Sequence, residues 1–360
     1  MSKIRVDLGS RSYDIIVGFN NLGKIGQHIK KLEKKAPKFK RKIAIITDGI
    51  VDQLYGKIVR SSLKGFQVFT FKVPAGEKHK TLAVASALYD LLVINNFCRD
   101  DCVLALGGGV IGDLAGFVAG TYMRGIDVVQ VPTTLLAQVD ASIGGKTAVD
   151  HKSAKNMVGV FHQPRLVFID VMTLRSLPHR ELRTGFAEVI KYGIIKDPTI
   201  FKKLESDPKA DRAFWMDIVA RSARIKADVV SRDEKEKTGL RLILNFGHTI
   251  GHAIEASSSY LEFTHGEAVA LGMVAASFIA YQKKMIDKAV FLRIKNLIKT
   301  FGLPVKVKYD ANRVAKLLKY DKKVKAGKLR FVLPIKIGTV VVRDDIDVTL
   351  LKKALKEIKA

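Results

Sequence analysis

VLAL at residues 103–106 runs directly into GGGVIGD at 107–113 and then LAGFVAG at 114–120. A short apolar run, a glycine turn and a longer apolar segment read as strand, turn and helix. Gly107, Gly109 and Gly112 satisfy GxGxxG in the strand-turn-helix context that the motif needs. Without side chains, backbone amides can approach a pyrophosphate closely, and the start of the next helix adds partial positive charge. The motif therefore predicts a dinucleotide at the turn that carries Gly109, Val110, Ile111, Gly112 and Asp113. Its place, more than a hundred residues into the chain, departs from a standard Rossmann unit, where it follows the first strand.

Working outward, short apolar runs at 43–47, 67–73, 127–131 and 166–169 flank this strand. They read as buried parallel strands. Helical stretches at 50–63 and 82–96 are long enough to be crossovers, and alternation over the first eighteen residues predicts a hairpin. The first half reads as a Rossmann-like α/β domain, residues 1–172, with ligands at the carboxyl ends of its strands. After Leu177 and Pro178 the apolar spacing changes to three and four, through 181–205, 213–231, 242–257, 268–285 and 289–301. Residues 173–360 are thus expected to form a mainly α-helical domain, with a late strand pair and a last helix at 348–358. The chemistry is expected in a cleft between the two.

The chain has 360 residues, and 62 Lys and Arg against 35 Asp and Glu give a formal charge of +27. Such an excess suits nucleic acid, an anionic membrane or small anionic substrates. No zinc finger, homeodomain, RRM or KH signature accompanies the basic residues, and aromatics are not interleaved with them. The longest nearly uncharged apolar run, 268–281, falls short of the roughly 20 residues a membrane helix needs. No secretion signal opens the chain, and Cys98 and Cys102 form neither a disulfide framework nor a metal motif. A cytoplasmic protein with no specific nucleic acid and no membrane is expected.

Strand-end residues Asp48, Thr133 and Thr134 could meet a ribose or phosphate, although ordinary helix caps use the same residue types. SIGGKT at 142–147 is not a P-loop, because the first required glycine is Asp140. Asp140, Lys146, Lys155 and Asn156 lie in one loop-rich polar stretch suited to an anion. In NFGHTIGH, His248 and His252 share a helix face, and His265 opens the next apolar helix with Glu267 beside it. Three nitrogen or oxygen ligands with an open position is the catalytic zinc pattern. Glu188, Glu255 and Glu267 are candidate carboxylates, and spacing leaves the ligand set open: His248 with His252 serves as well as His248 with His265. Lys191 follows Glu188 by three in the apolar AEVIKYGII, while Lys226 and Arg241 flank the acidic DEKEK stretch.

Together these segments resemble the 3-dehydroquinate synthases nearly end to end. The resemblance is carried by VDLGSRSYDIIVG at 6–18, PAGEKHK at 74–80, the glycine motif extended to 125, VPTTLLAQVDASIGGKTAVD at 131–150 and KNMVGVFHQP at 155–164. It continues through GFAEVIKYG at 185–193, LNFGHTIGHAIE at 244–255, THGEAVALGM at 264–273 and DKKVKAGKLRFVLP at 321–334.

The resemblance implies a commonly dimeric enzyme that uses NAD and a divalent metal, zinc or cobalt. It would turn 3-deoxy-D-arabino-heptulosonate 7-phosphate into 3-dehydroquinate and phosphate in the shikimate pathway. The implied metal ligands are Glu188, His248 and His265. NAD would lie against Asp48, Glu77, Lys80, the 109–113 turn, Thr133, Thr134, Lys146, Lys155 and the segment Thr173, Leu174, Arg175, Ser176. Substrate contacts would come from Asp140, Lys146, Asn156, Lys191, Lys226, Arg241, Asn245, His252 and Lys322, with Arg124 reaching across a homodimer. One departure stands out: DEKEKTGLR at 233–241 is one residue longer than the common family spacing, which leaves Glu236 without an implied role. The nearest rivals are cyclases making an inosose or a valiolone, whose substrates lack the carboxylate that Lys226 and Arg241 would hold, and metal-dependent polyol dehydrogenases.

Overall fold

The computed structural model describes residues 1–33, 41–151, 154–206, 209–257, 262–310, 313–314, 317 and 329–360. The chain divides into two compact units, one of Met1–Leu177 with Asp211–Ser231, the other of Pro178–Ala210 with Arg232–Ala360.

The first unit is built on a seven-stranded sheet in the order β1-β2-β9-β6-β5-β3-β4. Its strands are β1 (Ser2–Val6), β2 (Tyr13–Gly18), β3 (Lys42–Asp48), β4 (Gln67–Val73), β5 (Cys102–Gly107), β6 (Asp127–Pro132) and β9 (Leu166–Asp170). Only the β1–β2 hairpin is antiparallel; the other pairings in this sheet are parallel. All six residues of β5 are buried. The reason is the pleat: Val103 and Ala105 pack on one face with α5 (Gly109–Thr121) and α4 (Leu82–Ile94). Leu104 and Leu106 pack on the other face with α1 (Ile25–Glu33) and the helical segment of α2 (Gly49–Val51) and α3 (Lys57–Ser62). A strand covered on both faces has no polar side, so its sequence is continuously apolar.

Three expectations need correction in this unit. The polar stretch after residue 145 is not a loop but an antiparallel hairpin, β7 (Lys146–His151) with β8 (Ala154–Phe161). Val149, Val158 and Val160 alternate along it and join the core beside α5, and that burial outweighs its polar content. The domain boundary expected at 172/173 falls at Leu177, because the turn Val171–Ser176 is tied to the first unit: buried Gln138 donates to Thr173 Oγ1 at 2.9 Å. α8 (Arg212–Arg232), expected in the helical half, returns to the first unit for all but its last residue. Ser231 Oγ accepts from the Asp7 amide at 2.9 Å, and the Arg212 guanidinium lies 5.0 Å over the Phe19 ring. Apolar spacing announces a helix but not the body that covers its apolar face.

The second unit is mainly helical. α6 (His179–Ile195) and α7 (Pro198–Glu205) are separate helices where the periodicity reads as one, since Asp197 caps the Thr199 amide at 2.9 Å and Pro198 begins a new first turn. α9 (His248–Ser257), α10 (His265–Gln282) and α11 (Lys288–Thr300) follow, then the hairpin β10 (Phe331–Lys336) and β11 (Thr339–Arg343) and α12 (Val348–Glu357). α10 is buried on nearly every side, so it carries the centre of this unit. Glycines bring its neighbours to backbone contact. A Cβ on Gly266 would stand 2.3 Å from the Thr184 carbonyl oxygen of α6, and one on Gly272 1.8 Å from that of Gly247, just before α9. Among the described residues no helix is long and apolar enough to cross a membrane.

Candidate active site

In the second unit Glu188 on α6, His248 at the start of α9 and His265 at the start of α10 converge. Glu188 Oε1 lies 3.7 Å from His248 Nε2 and 3.7 Å from His265 Nε2. Tetrahedral zinc with bonds of ~2.0–2.2 Å separates its ligands by roughly 3.3–3.6 Å, so this donor set fits such an ion. The Phe246 carbonyl, 3.1 Å from His248 Nδ1, accepts a hydrogen bond from Nδ1–H and leaves the Nε2 lone pair for a ligand. The capping box explains how His265 arrives: Thr264 Oγ1 accepts from the Glu267 amide, and the Glu267 carboxylate accepts from the Thr264 amide at 2.8 Å. Arg180 of α6 donates to both oxygens of Glu267, at 3.0 and 2.9 Å, and Thr184 Oγ1 donates to Thr264 Oγ1 at 2.9 Å. These bonds lock the first turn of α10 onto α6. Glu267 therefore builds the site from outside it.

The charge of the centre is balanced locally. Lys191, one turn along α6, contacts the fully buried Glu188 carboxylate. Burial works against a charged His265, but the Glu188 and Glu255 carboxylates outweigh it and raise its pKa to about 9. His252 completes the cluster, its ring centroid 5.3 Å from that of His248 and 6.0 Å from that of His265. Of the two ligand pairs that spacing left open, His248 with His265 is the one that shares Glu188.

In the first unit Gly108 precedes α5 and offers no side chain to cap it, so the first amides of α5 carry no side-chain acceptor from that position. A Cβ on Gly109 would meet only Ala141, at 3.6 Å, whereas one on Gly112 would press 2.9 Å from Gln130 Oε1 on β6. The second glycine of the motif thus leaves space above the helix start, and the third lets helix meet sheet. Asp48 and Thr134 are caps: Asp48 Oδ1 accepts from the Ile50 and Val51 amides at 2.9 Å, and Thr134 Oγ1 from the Ala137 amide at 3.3 Å. A cavity of about 480 Å³ opens at the carboxyl ends of β3 and β4, lined by Gly49, Ile50, Gln53, Lys72, Val73, Pro74 and Ala75. Thr133 is buried behind the turn, its amide bound to the Gly107 carbonyl at 2.9 Å. The Thr173, Leu174, Arg175, Ser176 segment is held by Asp170, which accepts from Met172 at 3.0 Å and from three amides of residues 20–22 at 2.6 to 2.9 Å.

Lys80 is the hub of this unit's polar cluster. Its ammonium donates to Asn156 Oδ1 at 2.7 Å and pairs with Glu77 at 2.8 Å, Asp113 at 3.3 Å and Asp150 at 3.8 Å. Burial disfavours its charge, yet these carboxylates hold its pKa above the ordinary lysine value. Desolvation raises Asp113 to about 6 against the pull of Lys80. Asp150, unremarked in the sequence, accepts from the Asn156 amide at 2.8 Å and so holds Asn156 at its left-handed φ of 56°. Alternation in KTAVDH was the signal that this acid sits on a strand.

Of the remaining residues, Lys226 of α8 donates to Asp140 at 2.6 Å within the first unit. Lys146 and Lys155 lie on β7 and β8. Arg124 is exposed at a turn where Met123 and Arg124 hold φ of 49° and 68°. In the second unit Arg241 is buried, donates to the Glu234 carbonyl at 2.6 Å and faces Glu236 at 3.5 Å. Asn245 ends the turn Leu240–Asn245. Lys322 lies outside the described residues.

Family profiles described as 3-dehydroquinate synthase N-terminal and C-terminal match residues 70–184 and 185–324. The chain belongs to the 3-dehydroquinate synthase family. It is 49 % identical to the 3-dehydroquinate synthase of Crocosphaera subtropica, over 99 % of each chain. Among solved structures this synthase-family chain is similar to the 2-epi-5-epi-valiolone synthase ValA of Streptomyces hygroscopicus subsp. jinggangensis, solved with NAD+ and Zn2+, with a TM-score of 0.88 and 27 % identity over 98 % of each. It is also similar to a 2-deoxy-scyllo-inosose synthase complexed with carbaglucose-6-phosphate, NAD+ and Co2+, with a TM-score of 0.84 and 27 % identity over 99 % of each.

Proposed function

We propose that this chain converts 3-deoxy-D-arabino-heptulosonate 7-phosphate into 3-dehydroquinate and phosphate, a phosphate-eliminating carbon–oxygen lyase dependent on NAD and a divalent metal. The observation that carries the reading is the Glu188–His248–His265 donor set, in a family member whose solved structural neighbours hold NAD+ with Zn2+ or Co2+. When bound, NAD supplies a reversible hydride acceptor and zinc or cobalt supplies Lewis acidity at substrate oxygens.

The chain's own groups do the rest. Glu188, His248 and His265 would hold the metal. The start of α5, with Asp48, Glu77, Lys80, Asp113, Thr133, Thr134, Lys146, Lys155 and the Thr173–Ser176 stretch, would hold the dinucleotide. Lys146, Lys191, Lys226, Arg241 and Lys322 would bind the substrate's carboxylate and phosphate, each as a charge-assisted donor, with Arg124 supplied by the second copy of a homodimer. Asp140, Asn156, Asn245 and His252 would orient its hydroxyls. A site with many cations and few bases works mainly by positioning, and the departing phosphate's own oxygens can take up the proton that its elimination releases.

The test is to supply the heptulosonate phosphate with NAD and zinc and follow phosphate and reduced cofactor together. Stoichiometric phosphate without net NADH is expected. Accumulating NADH would place the chain with dehydrogenases, and turnover of glucose 6-phosphate in preference would place it with inosose cyclases; either result sinks the proposal.

A further inference from the structure

His265 faces two carboxylates through its two ring nitrogens. Nε2 stands 3.7 Å from Glu188 Oε1, and Nδ1 stands 3.6 Å from Glu255 Oε2. His265 also belongs to two groups of donors, the atoms of each within 4.8 Å of one another: Glu188, His248 and His265 form one, and His252, Glu255 and His265 the other. A neutral imidazole has one N–H and one lone pair. His265 can therefore present a lone pair to one group only while the other receives its proton.

We propose that Glu255 is a positioning residue for the metal centre: it accepts the Nδ1–H of His265 and so commits the Nε2 lone pair to Glu188 and His248. Glu255 is 4 % exposed, and an ionised carboxylate only accepts, so the buried group facing Nδ1 favours a proton there. His248 is treated in the same way by the Phe246 carbonyl, 3.1 Å from its Nδ1. Both imidazoles then point Nε2 at Glu188. Glu255 stands two turns along α9 from His248, so one helix supplies the first histidine ligand and orients the second. With its Nδ1 proton in place, His265 closes the His252–Glu255–His265 group to a cation. The inference rests on the metal reading above.

The experiment titrates the metal-free full-length chain with zinc against a chromophoric chelator, and with cobalt followed by its visible absorption. Glu255→Gln keeps the volume and removes the charge, and is expected to weaken zinc about 10–100-fold and to alter the cobalt spectrum. Glu255→Asp keeps the charge but opens a gap, and is expected to bind better than Glu255→Gln; a packing role alone predicts the opposite order. His248→Ala should abolish tight binding and His252→Ala should leave it unchanged, with thermal unfolding confirming that each metal-free variant folds. The proposal falls if Glu255→Gln binds zinc like wild type while His248→Ala does not, or if His252→Ala loses zinc and His248→Ala keeps it. If wild type itself binds no zinc, the metal reading fails, and this inference with it.

Discussion

Lys191 touches the carboxylate of Glu188 from one turn along α6, with only 1 % and 0 % of the two side chains exposed. A buried charge keeps its form only beside a partner, so in the metal-free chain the ammonium stands in for a cation. Lys191→Met should cost the metal-free protein about 3–5 kcal/mol in urea unfolding, because it takes the nearest cation from the buried Glu188 carboxylate and leaves it the more distant His265. Saturating zinc should shrink that deficit. By linkage the variant must then bind zinc more tightly than wild type. An equal deficit with and without zinc would separate Lys191 from the metal centre.

His265, held at about 9 by two carboxylates, is protonated at neutral pH in the metal-free chain. Its pKa is raised in the fold, so the stabilisation it gives is complete below its ordinary value of 6.5 and fades as pH climbs through about 9. Ligation requires the neutral ring, so zinc binding at about pH 7.5 should release a proton and affinity should climb with pH over the same window. Calorimetry in buffers of different ionisation enthalpy counts that proton. A count near zero contradicts the assignment.

Gly109 at the start of α5 has room for a side chain, its nearest obstacle being Ala141 at 3.6 Å. Gly109→Asp should leave thermal stability level or higher, since an acid in the first helical turn suits the helix dipole. The same charge would face a pyrophosphate. NAD affinity should fall about tenfold or more. Unchanged affinity by fluorescence titration would move the dinucleotide elsewhere.

Gly266 lies against the Thr184 carbonyl, where a Cβ would sit at 2.3 Å. Gly266→Ala should therefore push α10 from α6, costing about 1–3 kcal/mol by overpacking. Zinc affinity should fall with it, because Glu188 and His265 ride on those two helices. Weaker folding with unchanged zinc binding would show that the ligands do not depend on that contact.

Much of the sheet was legible because a strand buried on both faces must be apolar throughout, as in VLAL, and because glycines must occupy the turn before α5. The cluster of His248, His252 and His265 was legible as a group. Which of them share a carboxylate was implied by the family resemblance and not by spacing: Glu188 lies sixty residues before His248 on another helix, and no spacing rule joins α6 to α10. The β7–β8 hairpin hid behind Lys146, Asp150 and Lys155, while three valines carry it into the core. α8 was recognised as a helix yet assigned to the wrong body, since its amphipathic pattern is blind to destination. Glu255 and Glu267 looked alike beside their histidines; only coordinates separate the acid that faces an imidazole from the one that caps a helix.

The two backbone contacts at Gly266 and Gly272 have a mechanical meaning. With no side chain between the touching main chains, the span of the donor set is set by covalent geometry rather than by compressible packing. An ion with longer bonds, such as calcium at about 2.3–2.6 Å with six or more oxygens, would need the helices to part. Small cations that accept nitrogen and few ligands need no such movement. Stiffness of the frame, as much as the chemistry of its donors, becomes the filter that chooses the metal.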